Sequence, residues 1–387
     1  MKEKTIFMVF FFEINVIIVR VINLLKKALK LLKIFNDNNY EAYLVGGFVR
    51  DYVMGRTSSD IDICTNATPM EIKNLFKDAF LPQEVYGAVH ITYGELMYEV
   101  TTFRMDLEYS DKRSPSKIMY TDNLIIDLKR RDFIMNTLCM DKDGNIIDHL
   151  NATTDIKNKI IRCVGDPEER FKEDPLRILR AIRFATELNF KLDDSIKKAI
   201  ENNKKLLDTL SYFRKKQELN RIFSSPNKAF GISILKQYKL DKYLGINLSN
   251  DIENTNDPIG IWVQVNPSDK YQFTSLEKDY LNSILRLIKK EKITNKELYE
   301  YGPYLCSIAA QILKKDEVDI QEKYERLPIK NKKEIKLKPI EIINILNLEN
   351  KSKIKDIIST LESKILNNEL LNDEEILKKY ILDMYKK

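Results

Sequence analysis

Tyr43–Cys64 reads YLVGGFVRDYVMGRTSSDIDIC, and its punctuation organises the rest of the chain. The pattern predicts a short apolar strand at Tyr43–Val45, a turn at Gly46-Gly47 and a helix from Phe48 to about Met54. A stop at Gly55 and a polar loop follow, then a second strand carrying Asp60 and Asp62. Glycine lets backbone N–H groups approach a bound anion closely, and a following helix start favours negative charge. Asp60 and Asp62, two apart on a strand, would leave from one face. Mg²⁺ is held by such carboxylates while it also binds substrate phosphates. The combination points to phosphate chemistry on a nucleotide. Among 58 acidic residues in 387, roughly nine acid-x-acid pairs arise by chance, so the pair counts only together with the glycine turn.

Composition narrows the chemistry. A length of 387 residues suggests two to four domains, and 43% hydrophobic content indicates a folded chain. The net charge of +6 is compatible with a polyanionic partner without requiring one. Cys64, Cys139, Cys163 and Cys306 show no metal or disulfide spacing and read as reduced thiols of a cytoplasmic protein. His90 and His149 are the only histidines, which excludes multi-histidine metal centres. The chemistry must therefore run on carboxylates and arginines.

Thr5–Leu24 is apolar, but Glu13 and Arg20 interrupt it, each costing roughly 3 kcal/mol at the centre of a membrane span, and no cleavage signal appears. Ile17–Phe35 turns amphipathic, with Lys26, Lys27, Lys30 and Lys33 on a basic face, and is expected to pack its apolar side on the first domain. No membrane partner is expected. Thr68-Pro69 starts a predicted helix over Met70–Phe80. Ala88–Tyr93 and Leu96–Thr101 predict a hairpin around Gly94, with Glu99 as either an exposed-face residue or a third carboxylate beside Asp60 and Asp62. Arg104–Lys117 reads as an irregular polar loop.

In Asp122–Asn136 the run Lys129-Arg130-Arg131-Asp132 offers guanidinium forks for phosphates and a carboxylate for a ribose, or else a solvated turn closed by an Arg–Asp ion pair. From Lys157 onward helical periodicity takes over. Asp174 before Pro175 is a helix N-cap by local rules. Asp174 and Arg177, three apart, can also face one way and offer an acceptor beside a donor. Cytosine and adenine match that order on their base-pairing edges; guanine and uracil reverse it. Arg180 and Arg183 continue the row towards a triphosphate. Tyr238–Asn247 and Asp251–Ser275, including Trp262, read as connecting material, and Lys330, Lys332, Lys333, Lys336 and Lys338 as solvated charge.

With these residues in place the chain resembles the class II tRNA nucleotidyltransferases, the bacterial CCA-adding enzymes. The features occur in the family's order: GGFVRD with DID, YEVTTFR, EYSDKRSP, LKRRDFIMN, EDPLRILRAIRFA and, in the tail, YERLPIK. The resemblance implies an α+β fold, an N-terminal mixed-sheet nucleotidyltransferase palm followed by an elongated all-α region. It divides the chain into a head (1–156), a neck that recognises the base (157–224), a body (225–326) and a tail (327–387). It implies that Asp60 and Asp62 bind Mg²⁺, with Glu99 as the third catalytic carboxylate. Gly47 and Arg50 would contact the triphosphate; Arg131, Asp132 and Asn136 would handle ribose and phosphates. Asp174 and Arg177 would select the base, with Arg180 and Arg183 on the triphosphate.

The implied reaction is stepwise, template-independent addition of C, C and A to the tRNA 3′ end from CTP and ATP, by a monomer or homodimer, with one metal activating the terminal 3′-hydroxyl, a second clamping the triphosphate, and pyrophosphate leaving. Departures stand at Asp148-His149-Leu150-Asn151-Ala152, where the family usually has DPxGG, at Ser114 for an arginine, and at Phe213 for a glutamate. The first two fall where the family is thought to switch from C to A. A partial CC- or A-adding enzyme, or a poly(A) polymerase, would use the same chemistry. The retained Asp106, Tyr109, Asp111 and Arg113 argue against CC addition alone, and the short tail against a poly(A) polymerase. A non-catalytic RNA-binding protein would not require three carboxylates close to RNA phosphates.

Overall fold

The computed structural model describes residues 22–58, 60–81, 87–109, 115–315, 317–347 and 352–385. The apolar N-terminal stretch before residue 22 and the loop positions Asp111, Arg113 and Ser114 lie outside the described residues. The chain divides into two compact units, Met1–Leu244 and Gly245–Lys387.

In the first unit, helix α1 (22–37) puts Ala28, Leu31, Leu32 and Phe35 into the core, the i, i+3, i+4, i+7 stripe expected of an amphipathic helix. Strand β1 (Ala42–Val45) follows and runs into Gly46, whose φ of 81° lets the backbone turn directly into helix α2 (Gly47–Val53). Strand β2 (Asp62–Thr65) returns antiparallel to β1. The second strand thus starts at Asp62, and Asp60 stands in the loop before it rather than on the strand. Helix α3 (Pro69–Leu75) begins at a capping box of Thr68 and Glu71, shorter than the Met70–Phe80 span expected.

Strands β3 (Ala88–Tyr93) and β4 (Leu96–Thr102) form the hairpin, and β4 lies parallel to β2. The polar stretch expected to be a loop is instead largely a two-stranded ribbon, β5 (Arg104–Tyr109) and β6 (Pro115–Tyr120), paired apart from the main sheet. Its cross-strand hydrogen bonds satisfy the backbone without needing apolar side chains, so charge density misled the reading. Asn123 caps helix α4 (Leu124–Lys129), accepting from the amides of Ile125 and Ile126. Strands β7 (Cys139–Met140) and β8 (Ile146–Ile147) complete a six-stranded mixed sheet in the order β3-β4-β2-β1-β7-β8. One face, with Ile63, Val89, Ile91 and Val100, is buried in the same core as α1.

Asn151, at φ 60°, supplies the left-handed turn into helix α5 (Ala152–Asn158), the geometry that asparagine tolerates in place of glycine. Asp148 holds that turn by accepting from the amides of Ala152 (2.8 Å) and Thr153 (2.9 Å). After strand β9 (Ile160–Ile161) come helices α6 (Pro167–Glu173) and α7 (Leu176–Leu188), then β10 (Lys191–Leu192), which pairs with β9. Helices α8 (Asp194–Asn203), α9 (Tyr212–Ser224), α10 (Lys228–Gln237) and α11 (Asp241–Leu244) finish the unit. Gly231 lets α10 press on its neighbours: a Cβ there would stand 2.4 Å from Thr186 Oγ1 and 2.7 Å from Ile222 Cγ2.

The second unit is helical: α12 (Pro258–Gln264), α13 (Ser275–Lys289), α14 (Asn295–Ile312, broken at Gly302), α15 (Glu317–Glu325), α16 (Pro339–Leu346), α17 (Ser352–Leu366) and α18 (Glu374–Tyr385). Trp262, expected in connecting material, is instead buried on α12 and meets the rings of Tyr271 and Phe273 edge-on. Among the tail lysines, Lys330 pairs with Glu325 and Lys332 with Glu362, as solvated charge would. No helix among the described residues is long and apolar enough to cross a membrane.

Candidate active site

A cleft of about 480 Å³ in the first unit gathers most of the residues singled out in the sequence. Gly46, Gly47, Arg50, Asp60, Asp62, Arg131, Asp132, Asn136, Asp174, Arg177, Arg180 and Arg183 all line it. Glu99 does not line it, but the sheet places Glu99 directly beside Asp62 as its cross-strand partner on β4. Partners in a ladder leave the same face, so the two carboxylates are neighbours.

Asp62 keeps part of its surface open at the cleft, while the rest of β2 is buried and the surrounding protein crowds its carboxylate. Crowding by protein strips water from its carboxylate, and Glu99 and Asp60 add like charge that outweighs Arg131, so its pKa rises to about 6. A carboxylate strained by like charge is one that a divalent cation would relieve. Among the described residues no three acidic, histidine or cysteine side chains are gathered tightly enough to grip an ion alone. A Cβ at Gly46 would stand 3.7 Å from Asp62 Oδ2 and from a guanidinium nitrogen of Arg131, an ordinary contact, so the φ of 81° rather than lack of space calls for glycine there.

Four of the expected nucleotide-binding residues form one hydrogen-bonded chain. Arg50 Nη1 donates to Asn136 Oδ1 (2.8 Å), Asn136 Nδ2 donates to Asp132 Oδ1 (3.2 Å), and Arg180 Nε donates to Asp132 Oδ2 (2.8 Å). Burial works against the Asp132 charge, but Arg180, Asn136 and the Phe133 amide overcome it and draw its pKa down to about 2. Arg131 and Asp132 do not pair with each other. Arg131 is held by Asp127, a fully buried carboxylate that also binds Arg130. Burial opposes the Arg131 charge as well, yet Asp127 lifts its pKa above the ordinary range, so Arg131 presents a fixed cation.

On α7 the side chains wind round one ring. The guanidinium carbons of Arg50, Arg180 and Arg183 lie 5.4, 5.4 and 4.1 Å from the centre of Phe184, within cation–π range. Asp174 serves as the local cap, accepting from the Leu176 amide at 3.1 Å, and it also accepts from Arg214. Cap and candidate base-reader are therefore one carboxylate. Arg177 Nη1 donates to Glu173 Oε2 (2.7 Å) and to the Arg170 carbonyl (2.8 Å), which fixes its fork beside Asp174.

Sequence reasoning did not single out Asp127, Phe184, Glu187, Glu218 or Arg221. Arg183 sits 3.3 Å from Glu218, and Glu187 and Arg221 line the cleft. The available signal was helical spacing: Arg214, Glu218 and Arg221 share one face of α9, and Arg180 and Phe184 stand four apart on α7.

Comparison with known proteins covers both units. The poly A polymerase head domain matches residues 42–162, the probable RNA- and SrmB-binding site of polymerase A matches 189–246, and the putative domain 2 of tRNA nucleotidyltransferase matches 277–381. The CCA-adding enzyme of Ligilactobacillus salivarius is 32% identical over 91% of this chain and 95% of its own. The chain belongs to the class II CCA-adding enzyme family. The CCA-adding enzyme of Staphylococcus aureus is 33% identical over 92% of this chain and 97% of its own. The Bacillus stearothermophilus CCA-adding enzyme, solved in complex with CTP, superposes with a TM-score of 0.78 at 25% identity over 94% of this chain and 98% of that one. A nucleotidyltransferase head followed by a helical region, the architecture expected from the resemblance, is thus the family's.

Proposed function

We propose that this chain adds C, C and A to the 3′ end of tRNA without a nucleic-acid template, using CTP and ATP, with Mg²⁺ at Asp60 and Asp62 and pyrophosphate as the leaving product. The observation that carries the reading is one cleft in which Asp60 and Asp62, the latter with Glu99 as its cross-strand neighbour, face the Arg50–Asn136–Asp132–Arg180 chain and the Asp174–Arg177 pair. End-to-end likeness to CCA-adding relatives, one of them solved with CTP, supports CCA addition over a poly(A) polymerase or a non-catalytic RNA-binding role.

In this reading Asp60 and Asp62, with Glu99 beside them, would hold two divalent cations, which would supply charge neutralisation for the triphosphate and a lowered pKa for the attacking 3′-hydroxyl. The 3′-oxygen bonds to the α-phosphorus as the α–β phosphoanhydride bond breaks. Arg50, Arg131, Arg180 and Arg183 hold the triphosphate, with Gly47 leaving room beside it and Asn136 and Asp132 orienting Arg50 and Arg180. Asp174 accepts from the amino group of cytosine or adenine, using lone pairs that Arg214 does not occupy. Arg177 donates to the adjacent ring nitrogen. Uracil and guanine would bring a carbonyl to Asp174, an acceptor facing an acceptor, which costs about 1–3 kcal/mol or more in a desolvated site.

The division into head, neck, body and tail at 156, 224 and 326 belongs to the same reading, as does a cytoplasmic location, which suits a tRNA substrate and four buried free thiols. The direct test is incorporation of labelled CMP into tRNA lacking its CCA, with Mg²⁺. Incorporation by the wild type and none by the Asp60→Ala, Asp62→Ala double variant is expected; incorporation unchanged in the double variant would remove the enzyme reading.

A further inference from the structure

The catalytic carboxylates stand in a row that runs on to the edge of the sheet. Asp62 is opposite Glu99, Glu99 is opposite His90, and His90 is opposite Phe80 across a bridge closed by two hydrogen bonds of 2.9 Å. Residues directly opposite one another leave the same face of a sheet. Met97 and Thr92 make the next row on that face, two residues further along β4 and β3. The other face carries the buried Val89, Ile91 and Val100. On the carboxylate face Phe80 is 65% and Met97 71% exposed. Single exposed apolar side chains need no explanation. Phe80 beside an imidazole in the row of a nucleotidyltransferase's carboxylates, with Met97 in the next row, calls for one.

We propose that Phe80, His90 and Met97 form a platform for the single-stranded 3′ end of tRNA, with a base stacked on Phe80 while the terminal hydroxyl reaches Asp62 and Glu99. The proposal rests on the nucleotidyl-transfer reading of those carboxylates. Adjacent strands lie about 4.8 Å apart, so three spacings put Phe80 about 14 Å from Asp62. That is the reach of a few nucleotides, and a strand whose end is at the carboxylates passes over the row. The surface chemistry selects which side of the strand it meets. An aromatic ring and a thioether offer nothing to a phosphate. Every base has a π-face that stacks on an aromatic ring whatever its sequence. The bases therefore rest on the sheet and the phosphates face water.

The test is steady-state kinetics with tRNA lacking its CCA. Phe80→Ala raises KM for tRNA about tenfold, within the range for loss of one base–aromatic stack, while KM for CTP holds. Phe80→Trp restores the wild-type value and Phe80→Leu does not, because stacking needs a π-face rather than apolar bulk. The salt dependence of tRNA binding keeps its slope in Phe80→Ala, since no phosphate contact is lost. An unchanged KM for tRNA in Phe80→Ala overturns the proposal. So does rescue by Phe80→Leu, or a fall in thermal stability without a change in KM, which would mark the ring as packing against protein. If the wild type extends no tRNA, the enzyme reading fails on its own. Binding of the same tRNA to wild type and Phe80→Ala without nucleotide then decides the platform, equal affinity refuting it.

Discussion

Arg214 Nη2 donates to both carboxylate oxygens of Asp174, at 3.1 and 3.0 Å, across forty residues of sequence. The carboxylate proposed to read the base is thus aimed from α9, not only by its own helix. Arg214→Ala should leave Asp174 free to rotate and lower discrimination of CTP over UTP about tenfold, in line with loss of a charge-assisted hydrogen bond. Asp174→Ala should lower it further. Single-turnover rates with the four nucleoside triphosphates check both, and undiminished rejection of UTP and GTP by Asp174→Ala would sink the template idea.

The Asp132–Arg180 pair makes stability depend on pH. The folded pKa of Asp132, about 2, lies below its ordinary 3.8, so the pair contributes stability above about pH 4 and loses it as pH falls towards 2. Arg180→Ala should destabilise the first unit at pH 7 by about 2–3 kcal/mol through the uncompensated carboxylate. The gap between variant and wild type should narrow as the pH drops from 4 to 2. Urea unfolding at pH 7 and at pH 3 measures both values.

Gly231→Ala should destabilise by about 1–3 kcal/mol through overpacking, because the added methyl meets Thr186 and Ile222. Thr186 cannot easily yield, since its hydroxyl donates to the Ile182 carbonyl at 2.7 Å. Gly231→Ala with Thr186→Ala should recover only part of the loss in thermal unfolding, since the contact with Thr186 disappears while that with Ile222 Cγ2 remains.

Asn151 makes the left-handed turn into α5. Its φ of 60° makes a β-branched residue strained there, so Asn151→Val should cost about 1–2 kcal/mol. Asn151→Gly should change stability by no more than a few tenths of a kcal/mol in the same unfolding assay.

Local signals carried much of this far. Gly46, Thr68-Pro69 and Gly94 are punctuation whose physics is contained within a few residues, and the β1–α2 turn, the α3 start and the β3–β4 hairpin follow from them. Asp60 fell off the strand because a two-residue alternation continues through a loop as readily as through a strand. The β5–β6 ribbon hid under its charge, since a two-stranded ribbon need not bury a face. Trp262 is buried because α12 packs in its own unit, a tertiary fact without local periodicity over seven residues. The residue types of the site were legible, but not their partners. Arg131 with Asp127, Asp132 with Arg180 and Asp174 with Arg214 depend on which elements meet, and spacing along the chain does not encode that.

Wild-type protein with Mg²⁺, CTP and ATP, given tRNA that ends at the nucleotide before CCA, should produce tRNA extended by C, C and A and then stop, as read by sequencing the product 3′ ends. Products ending at CC or carrying a run of A would contradict full CCA addition, and unextended tRNA would contradict nucleotidyl transfer itself.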